Sequence, residues 1–283
     1  MKELVINWHI TEACNFKCQY CFAKWDKPCK KELFHNSLQV SNLLDQILLL
    51  SNRFKGFDSI RLNLVGGEIF LYRDAIINII AEAKKRDIKL STITNGSLLD
   101  YNLNKIIANN FDIIGFSIDS IKDPTNIAIG RTTSKEPISI EKTINNINMI
   151  RSLNPNIVIK INTVVNKFNS HENMSEFIAS ISPQKWKVFK VLPIINRKLD
   201  ITNEEFSMFL ETHKSFHSII SSENNDEMVH SYLMIDPLGR FFQNEPNNLG
   251  YKYSQSILDV GVVEALKEIS FDIAKFNARY KKV

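Results

Sequence analysis

The 283-residue sequence predicts an α/β protein, a partial (β/α)6 TIM-like barrel with a C-terminal cap. Three observations lead there. Six apolar, β-branched runs alternate with stretches of helical periodicity, every connection is long enough for a right-handed parallel crossover, and the alternation stops near residue 200. Six units are two fewer than a closed eight-fold barrel needs. The expected division is a barrel over 1–200 and an extension over 201–283 that packs on it as a cap.

The run Leu4-Val5-Ile6-Asn7-Trp8-His9 reads as the first strand, and a cysteine-rich loop follows it. Ser37 is the expected N-cap of a helix over Leu38 to Leu50. Ile60 to Val65 is the second strand, closed by Gly66-Gly67, with a helix over Asp74 to Arg86 behind it. Leu90 to Ile93 is the third, ending at Thr94-Asn95-Gly96, and Asn102 to Ala108 is helical. Asp112 to Ile118 and Ile157 to Asn162 are strands four and five, separated by a helix over Ile138 to Leu153. A helix over Met174 to Ile181 leads to the sixth strand, Trp186 to Leu192. A helix is expected from Asn203 to about Ile220, and the polar stretch Ser221 to Glu227 then breaks the pattern. Tyr232 to Ile235 and Arg240 to Phe242 straddle Pro237-Leu238-Gly239 as a hairpin.

With 44% hydrophobic and 23% charged residues, the chain is no disordered tail, collagen or coiled coil. Its formal charge of +4 is too mild for a nucleic-acid track, yet it leaves room for a local pocket that takes an anion. No apolar run reaches the roughly 18–20 residues that span a bilayer, and the N-terminus lacks a signal-peptide layout. A cytoplasmic monomer without membrane or nucleic-acid partners is expected. All four cysteines fall within the first 29 residues. In a reducing compartment such a cluster points to metal or redox chemistry and not to disulfides.

The sharpest motif is Cys14-Asn15-Phe16-Lys17-Cys18-Gln19-Tyr20-Cys21, directly after the first strand. Thiolates of Cys14, Cys18 and Cys21 at this spacing wrap one face of a [4Fe-4S] cubane and leave the fourth iron without a protein ligand. A zinc site completed by His9 or Cys29 is the rival reading, but structural zinc sites use paired knuckles and only one is present. Cys29 itself reads as an ordinary loop thiol.

This motif, with an aromatic residue before the last cysteine, resembles the signature of the radical S-adenosylmethionine (SAM) superfamily. The resemblance implies that the open iron chelates SAM and that the reduced cluster cleaves it to a 5′-deoxyadenosyl radical. It also implies SAM-side roles for Gly66, Gly67 and Glu68 after the second strand, Asn95 after the third, Ser117 at the end of the fourth, and Arg131 beyond it. All lie at or after the C-terminal ends of expected strands, the rim where barrel active sites form.

Within that superfamily the chain is similar to the viperin family, in its prokaryotic branch. The similarity runs through Asn7-Trp8-His9, Cys21-Phe22 and Thr94-Asn95-Gly96-Ser97-Leu98. It is most specific at Lys160-Ile161-Asn162-Thr163-Val164-Val165-Asn166-Lys167-Phe168-Asn169, Trp186-Lys187-Val188-Phe189 and Ser256-Ile257-Leu258-Asp259-Val260-Gly261-Val262. The resemblance implies antiviral conversion of CTP, UTP or GTP to a chain-terminating 3′-deoxy-3′,4′-didehydro nucleotide, with electrons from a flavodoxin or ferredoxin type donor. It places Asn7, Arg61, Lys160, Asn162, Lys185 and Lys187 around the nucleotide, mainly its phosphates. Tyr232 then stands near the sugar as a proton donor and, with Lys187, forms the catalytic pair.

Residue types agree with a triphosphate. Lys160 and Asn162 share one face of the fifth strand, Lys185 and Lys187 one face of the sixth, and Asn7 and His9 one face of the first. Inward cations on neighbouring strands are costly in an apolar barrel and make sense around an anion. The rival enzymes are radical SAM proteins that modify peptides or activate other enzymes, which usually carry further cysteines. A non-catalytic cluster-binding sensor is the rival from another class. The chain departs from the family at Ile69, where Pro is usual, at Arg61 and Lys185, which exchange Lys and Arg, and at Gln243-Asn244, which replace an Asn-Cys pair. The animal family's N-terminal amphipathic helix and terminal Trp are also without counterparts here.

Overall fold

A computed structural model describes residues 2–21, 32–133, 136–193, 196–244 and 251–281, so Phe22, Cys29 and the last two residues lie outside the described part. Seven parallel strands follow one another in chain order: β1 (Glu3–His9), β2 (Ser59–Val65), β3 (Lys89–Thr94), β4 (Ile113–Ser117), β5 (Val158–Val165), β6 (Lys185–Lys190) and β7 (Ile220–Glu223). On the other side of β1 lies β8 (Leu233–Ile235), also parallel to it. Antiparallel β9 (Arg240–Asn244) and β10 (Tyr251–Ser256) extend the sheet beyond β8.

The crossovers carry α1 (Ser37–Leu48), α2 (Leu50–Arg53), α3 (Arg73–Lys84), α4 (Tyr101–Asn110), α5 (Asp123–Ile129), α6 (Ile140–Leu153), α7 (Ser175–Ile181), α8 (Asn203–Thr212) and the short α9 (Asn225–Met228). After β10 come α10 (Ile257–Val260), α11 (Val262–Lys267) and α12 (Ile273–Lys281). Among the described residues no helix is long and apolar enough to cross a membrane.

The six expected strands and the hairpin are present, and the sheet remains open as expected. Three readings change. Ser37 is the first residue of α1 and not its cap, because the Asn36 side chain accepts from the amides of Leu38 and Gln39. The helix expected to reach Ile220 ends at Thr212. His213 stops it, with a ring nitrogen facing the Phe209 carbonyl at 2.7 Å and Nε2 accepting from Met174 N at 2.9 Å. The polar stretch Ser221 to Glu227 begins as a seventh barrel strand over Ile220–Glu223, Trp186 pairing with Ile220 and Phe189 with Glu223, before α9 starts at Asn225. With β8 beside β1, eight parallel strands stand in barrel order. Closure fails because β9 already occupies the second edge of β8.

The two faces of the sheet differ in chemistry. Leu4, Ile6 and Trp8 on β1, Leu62 and Leu64 on β2, Ile114 and Phe116 on β4, and Trp186 and Val188 on β6 are all fully buried in the apolar core. The alternate positions face inward and are largely polar: Asn7, Arg61, Asn63, Ser91, Lys160, Lys185 and Lys187 line an interior cavity. A barrel filled by branched apolar residues would seal itself. This one keeps a polar interior.

Candidate active site

The cysteine loop is held from two sides by backbone contacts. Gly67 N donates to Thr11 O and Glu68 N to Ala13 O, each at 2.8 Å, so the end of β2 lies directly on the loop. A Cβ on Gly67 would sit 2.0 Å from Ala13 O, and one on Gly66, at φ +149°, 2.5 Å from Thr11 O. Neither position admits a side chain. Opposite them α5 ends at Gly130, in the left-handed region, where a Cβ would meet Lys17 O at 2.4 Å. Lys17 N donates to Gly130 O and Gln19 N to Ile129 O. Glu32 anchors the loop's start, accepting from Thr11 Oγ1 and Glu12 N.

Side chains complete the rim. Glu68 is fully buried, and its carboxylate accepts from Thr94 Oγ1 at 2.9 Å, Asn95 N at 2.8 Å and Phe70 N at 3.2 Å. Burial pushes its pKa up, and these hydrogen bonds oppose the rise. Asn95 Nδ2 donates to Asn15 Oδ1 at 2.9 Å and lies 4.0 Å from Cys14 Sγ, which also accepts from Phe16 N. Arg131 is buried and pairs with Asp119 at 3.0 Å. It also donates to the Ser117 carbonyl and to Tyr20, and the Tyr20 phenol in turn donates to Asp119. Its guanidinium carbon lies 5.6 Å from the centre of the Phe16 ring. Arg131 Nε is buried without a partner among the described residues.

The donor set fits a metal cluster. Burial pushes the Cys14 thiol up and Cys18 up to about 12, and the positive charge of a bound metal group would draw both toward the thiolate. The guanidinium of Arg131 works in that direction for both. Cys14, Cys18 and Cys21 are each half-buried and unbridged. Among the described residues no group of three or more His, Cys, Asp or Glu side chains is arranged to hold a metal ion.

Below the rim, the expected substrate residues gather in the interior. Lys160 stands beside Lys185, and Asn162 beside Lys187, in the register of β5 and β6. Lys160 and Lys185 make no hydrogen bond or ion pair among the described residues. Burial, then the charges of Lys187, Arg61 and Lys185, push Lys160 far below the usual lysine range, although Glu223 opposes this. Lys185 is lowered by burial and by Arg61. Arg61 donates to Glu3 at 2.7 Å and to Ser91 Oγ at 2.8 Å, and the chain of bonds continues through Asn63 to Asn7.

Lys187 is committed differently. Its Nζ lies 2.5 Å from Glu223 Oε1 and donates to Tyr232 Oη at 2.9 Å. The phenol donates to Glu223 Oε2 at 2.5 Å, and Arg279, reaching in from α12, donates to the same oxygen at 2.7 Å. The guanidinium carbon of Arg279 lies 3.2 Å from the centre of the Tyr232 ring.

Thus Asn7, Arg61, Lys160, Lys185, Lys187 and Tyr232 share one cavity. His9 and Asn162 do not line it. His9 is buried with its ring edge-on to Phe242 at 5.0 Å, and burial holds its pKa down to about 3. Asn162 is buried with Oδ1 unpartnered among the described residues. Sequence reasoning missed Asn63, Ser91 and Arg279 in the cavity, Glu223 behind its Lys187 and Tyr232, and Asn15, Tyr20 and Asp119 at the rim. The two-residue period that selects Arg61 also selects Asn63. No pattern in the sequence marks Glu223 or Arg279.

The radical SAM superfamily matches residues 8–181. The chain is 50% identical over 286 aligned residues to an S-adenosylmethionine-dependent nucleotide dehydratase of Psychrobacter lutiphocae, covering 99% of this chain and 96% of the relative. It is 37% identical to one of Pseudoalteromonas ulvae, over 100% and 94%. Among solved structures, histidine-tagged anSMEcpe with bound AdoMet superposes with a TM-score of 0.71 at 16% identity, over 97% of this chain and 84% of the other.

Proposed function

Because the chain belongs to the radical SAM superfamily and, within it, to the S-adenosylmethionine-dependent nucleotide dehydratases, we propose that it dehydrates a ribonucleoside triphosphate held in the basic cavity. Cys14, Cys18 and Cys21 would hold a [4Fe-4S] cluster, and Glu68, Asn95, Ser117 and Arg131 would form the SAM side of the rim. Bound there, cluster and SAM supply the radical that takes the 4′ hydrogen atom of the ribose. The nucleotide then loses its 3′ hydroxyl as water, taking up one proton and one electron, and becomes a 3′-deoxy-3′,4′-didehydro nucleotide. A flavodoxin or ferredoxin type protein is the electron donor we propose.

The chain's own residues bind and orient. Lys160, Lys185 and Lys187 would take the phosphates, with Arg61 and Asn7 at the cavity wall, and the Tyr232 phenol would deliver the proton. One observation carries the reading. Lys160 stands inside the cavity with four other cations, Arg61, Lys185, Lys187 and Arg279, and without a hydrogen-bonding partner among the described residues, an arrangement that costs stability unless a polyanion fills it. A product without a 3′ hydroxyl terminates RNA synthesis, which would give the enzyme its antiviral use.

The test is a panel of CTP, UTP, GTP and ATP with reconstituted, reduced protein. At least one nucleotide should accelerate release of 5′-deoxyadenosine and itself lose the mass of one water. Nucleotide-independent turnover, or none, would refute the assignment.

A further inference from the structure

We infer that Glu223 is a positioning residue of the nucleotide site, a carboxylate that braces Lys187, Tyr232 and Arg279 between β7 and β8 and keeps the Lys187 ammonium charged. The inference rests on the reading of the cavity as a triphosphate site. A negative charge beside a pocket for a polyanion needs a reason, since it repels the ligand. The geometry supplies one. Glu223 is 4% exposed and stands behind the cavity wall, where Oε1 ion-pairs with Lys187 and Oε2 accepts from Tyr232 and Arg279, three side chains that line the cavity. Lys187 donates to Tyr232 and ion-pairs with Glu223, and the two contacts together hold its ammonium at the cavity wall.

Among the described residues the other charged side chains that line the cavity are all positive: Lys160 from β5, Lys185 from β6, Arg61 from β2 and Arg279 from α12. Tyr232, entering β8, is the remaining titratable neighbour. Burial pushes Lys187 down to about 8, and Glu223 is the group that resists the fall. Burial pushes Glu223 upward, but Lys187 and Arg279 outweigh it and hold the carboxyl below its usual range. Without that charge Lys187 would shed its proton at lower pH and meet the phosphates neutral. The carboxylate therefore exchanges some repulsion for a reliable cation.

The two effects separate with pH. Glu223→Gln removes the repulsion at every pH, while the loss of protonation tells only in the alkaline range. We would measure the Kd of CTP, UTP and GTP calorimetrically on cluster-loaded protein without SAM, carrying the tightest binder from about pH 6.5 to about pH 8.5. The Gln variant is expected to bind at least as tightly as the parent at the acid end. The ratio of variant to parental Kd should rise severalfold across the range, because Lys187, held at about 8 in the parent, loses its proton earlier without the Glu223 charge. A ratio that stays flat, whether near one or uniformly raised by structural damage, would overturn the inference. If Glu223→Gln does not fold, Glu223→Asp keeps the charge and should give a flat ratio, so one that rises with pH overturns it equally. A parent that binds none of the three nucleotides overturns the triphosphate reading itself.

Discussion

Replacing Gly67 by Ala separates the cysteine loop's geometry from the stability of the fold. A Cβ at that position lies 2.0 Å from Ala13 O, 2.5 Å from Ala13 C and 2.7 Å from Glu12 O, and packed Cβ atoms essentially never come within 3.0 Å of a neighbour. The obstacle is backbone, which no rotamer change can clear. The loop must retreat by at least 1.0 Å, the difference between those two distances, and Cys14 is the next residue in line. Overpacking of this kind costs about 1–3 kcal/mol. For a protein of this size each kcal/mol lowers Tm by roughly 2–4 °C, so the variant should stay folded. The cluster demands more of the loop, since displacements of this size spoil a metal site's ligand geometry. Iron and acid-labile sulfide after anaerobic reconstitution, read beside Tm, are the assay, and metal content should fall far more than stability does. Gly56→Ala is the control: φ is +89° and nothing lies within 4 Å, so it costs stability without touching the loop. Parental iron and sulfide in Gly67→Ala would refute the claim that this glycine shapes the site.

Two further outcomes are expected. Lys160→Met should stabilise the nucleotide-free protein by on the order of 1 kcal/mol, because it removes a partnerless amine held inside the cavity, while weakening nucleotide binding by about 2 kcal/mol or more. Thermal scans with and without nucleotide read both signs at once, and a destabilised apoprotein would contradict the argument. Asp119→Asn leaves Arg131 buried beside a neutral amide and should cost about 3–5 kcal/mol in denaturant unfolding; a change under about 1 kcal/mol would mean that the pair is dispensable.

The sequence makes most of β1 to β6 legible because they set apolar residues on the helix side at every second position, and because Lys160, Asn162, Lys185 and Lys187 keep the same period on the inner side. β7 is hidden by the chemistry that makes it useful. Its four residues, Ile220-Ser221-Ser222-Glu223, contain one apolar side chain, so neither alternation nor an apolar run announces a strand. Parallel pairing to β6 overrides the weak local signal. At the rim, Gly66 and Gly67 are visible as a turn, but their service to the cysteine loop is not, because it depends on a backbone more than fifty residues away. Asp119 and Tyr20 escape notice for a similar reason. Each is unremarkable until Arg131 is buried between them.

The strand that sequence reasoning missed also bears on how an unclosed barrel avoids pairing edge to edge with other chains. β7 has β6 on one side and no strand on the other among the described residues, which leaves a row of amides and carbonyls free to template a foreign strand. Proteins guard such borders by keeping the strand short and polar and by turning a charge inward. β7 is four residues long, three of them polar, and ends in the inward carboxylate of Glu223. An incoming chain pairing here would have to settle over an ion-paired, hydrogen-bonded cluster instead of an apolar seam. The open side of the barrel is thereby a poor nucleus for aggregation.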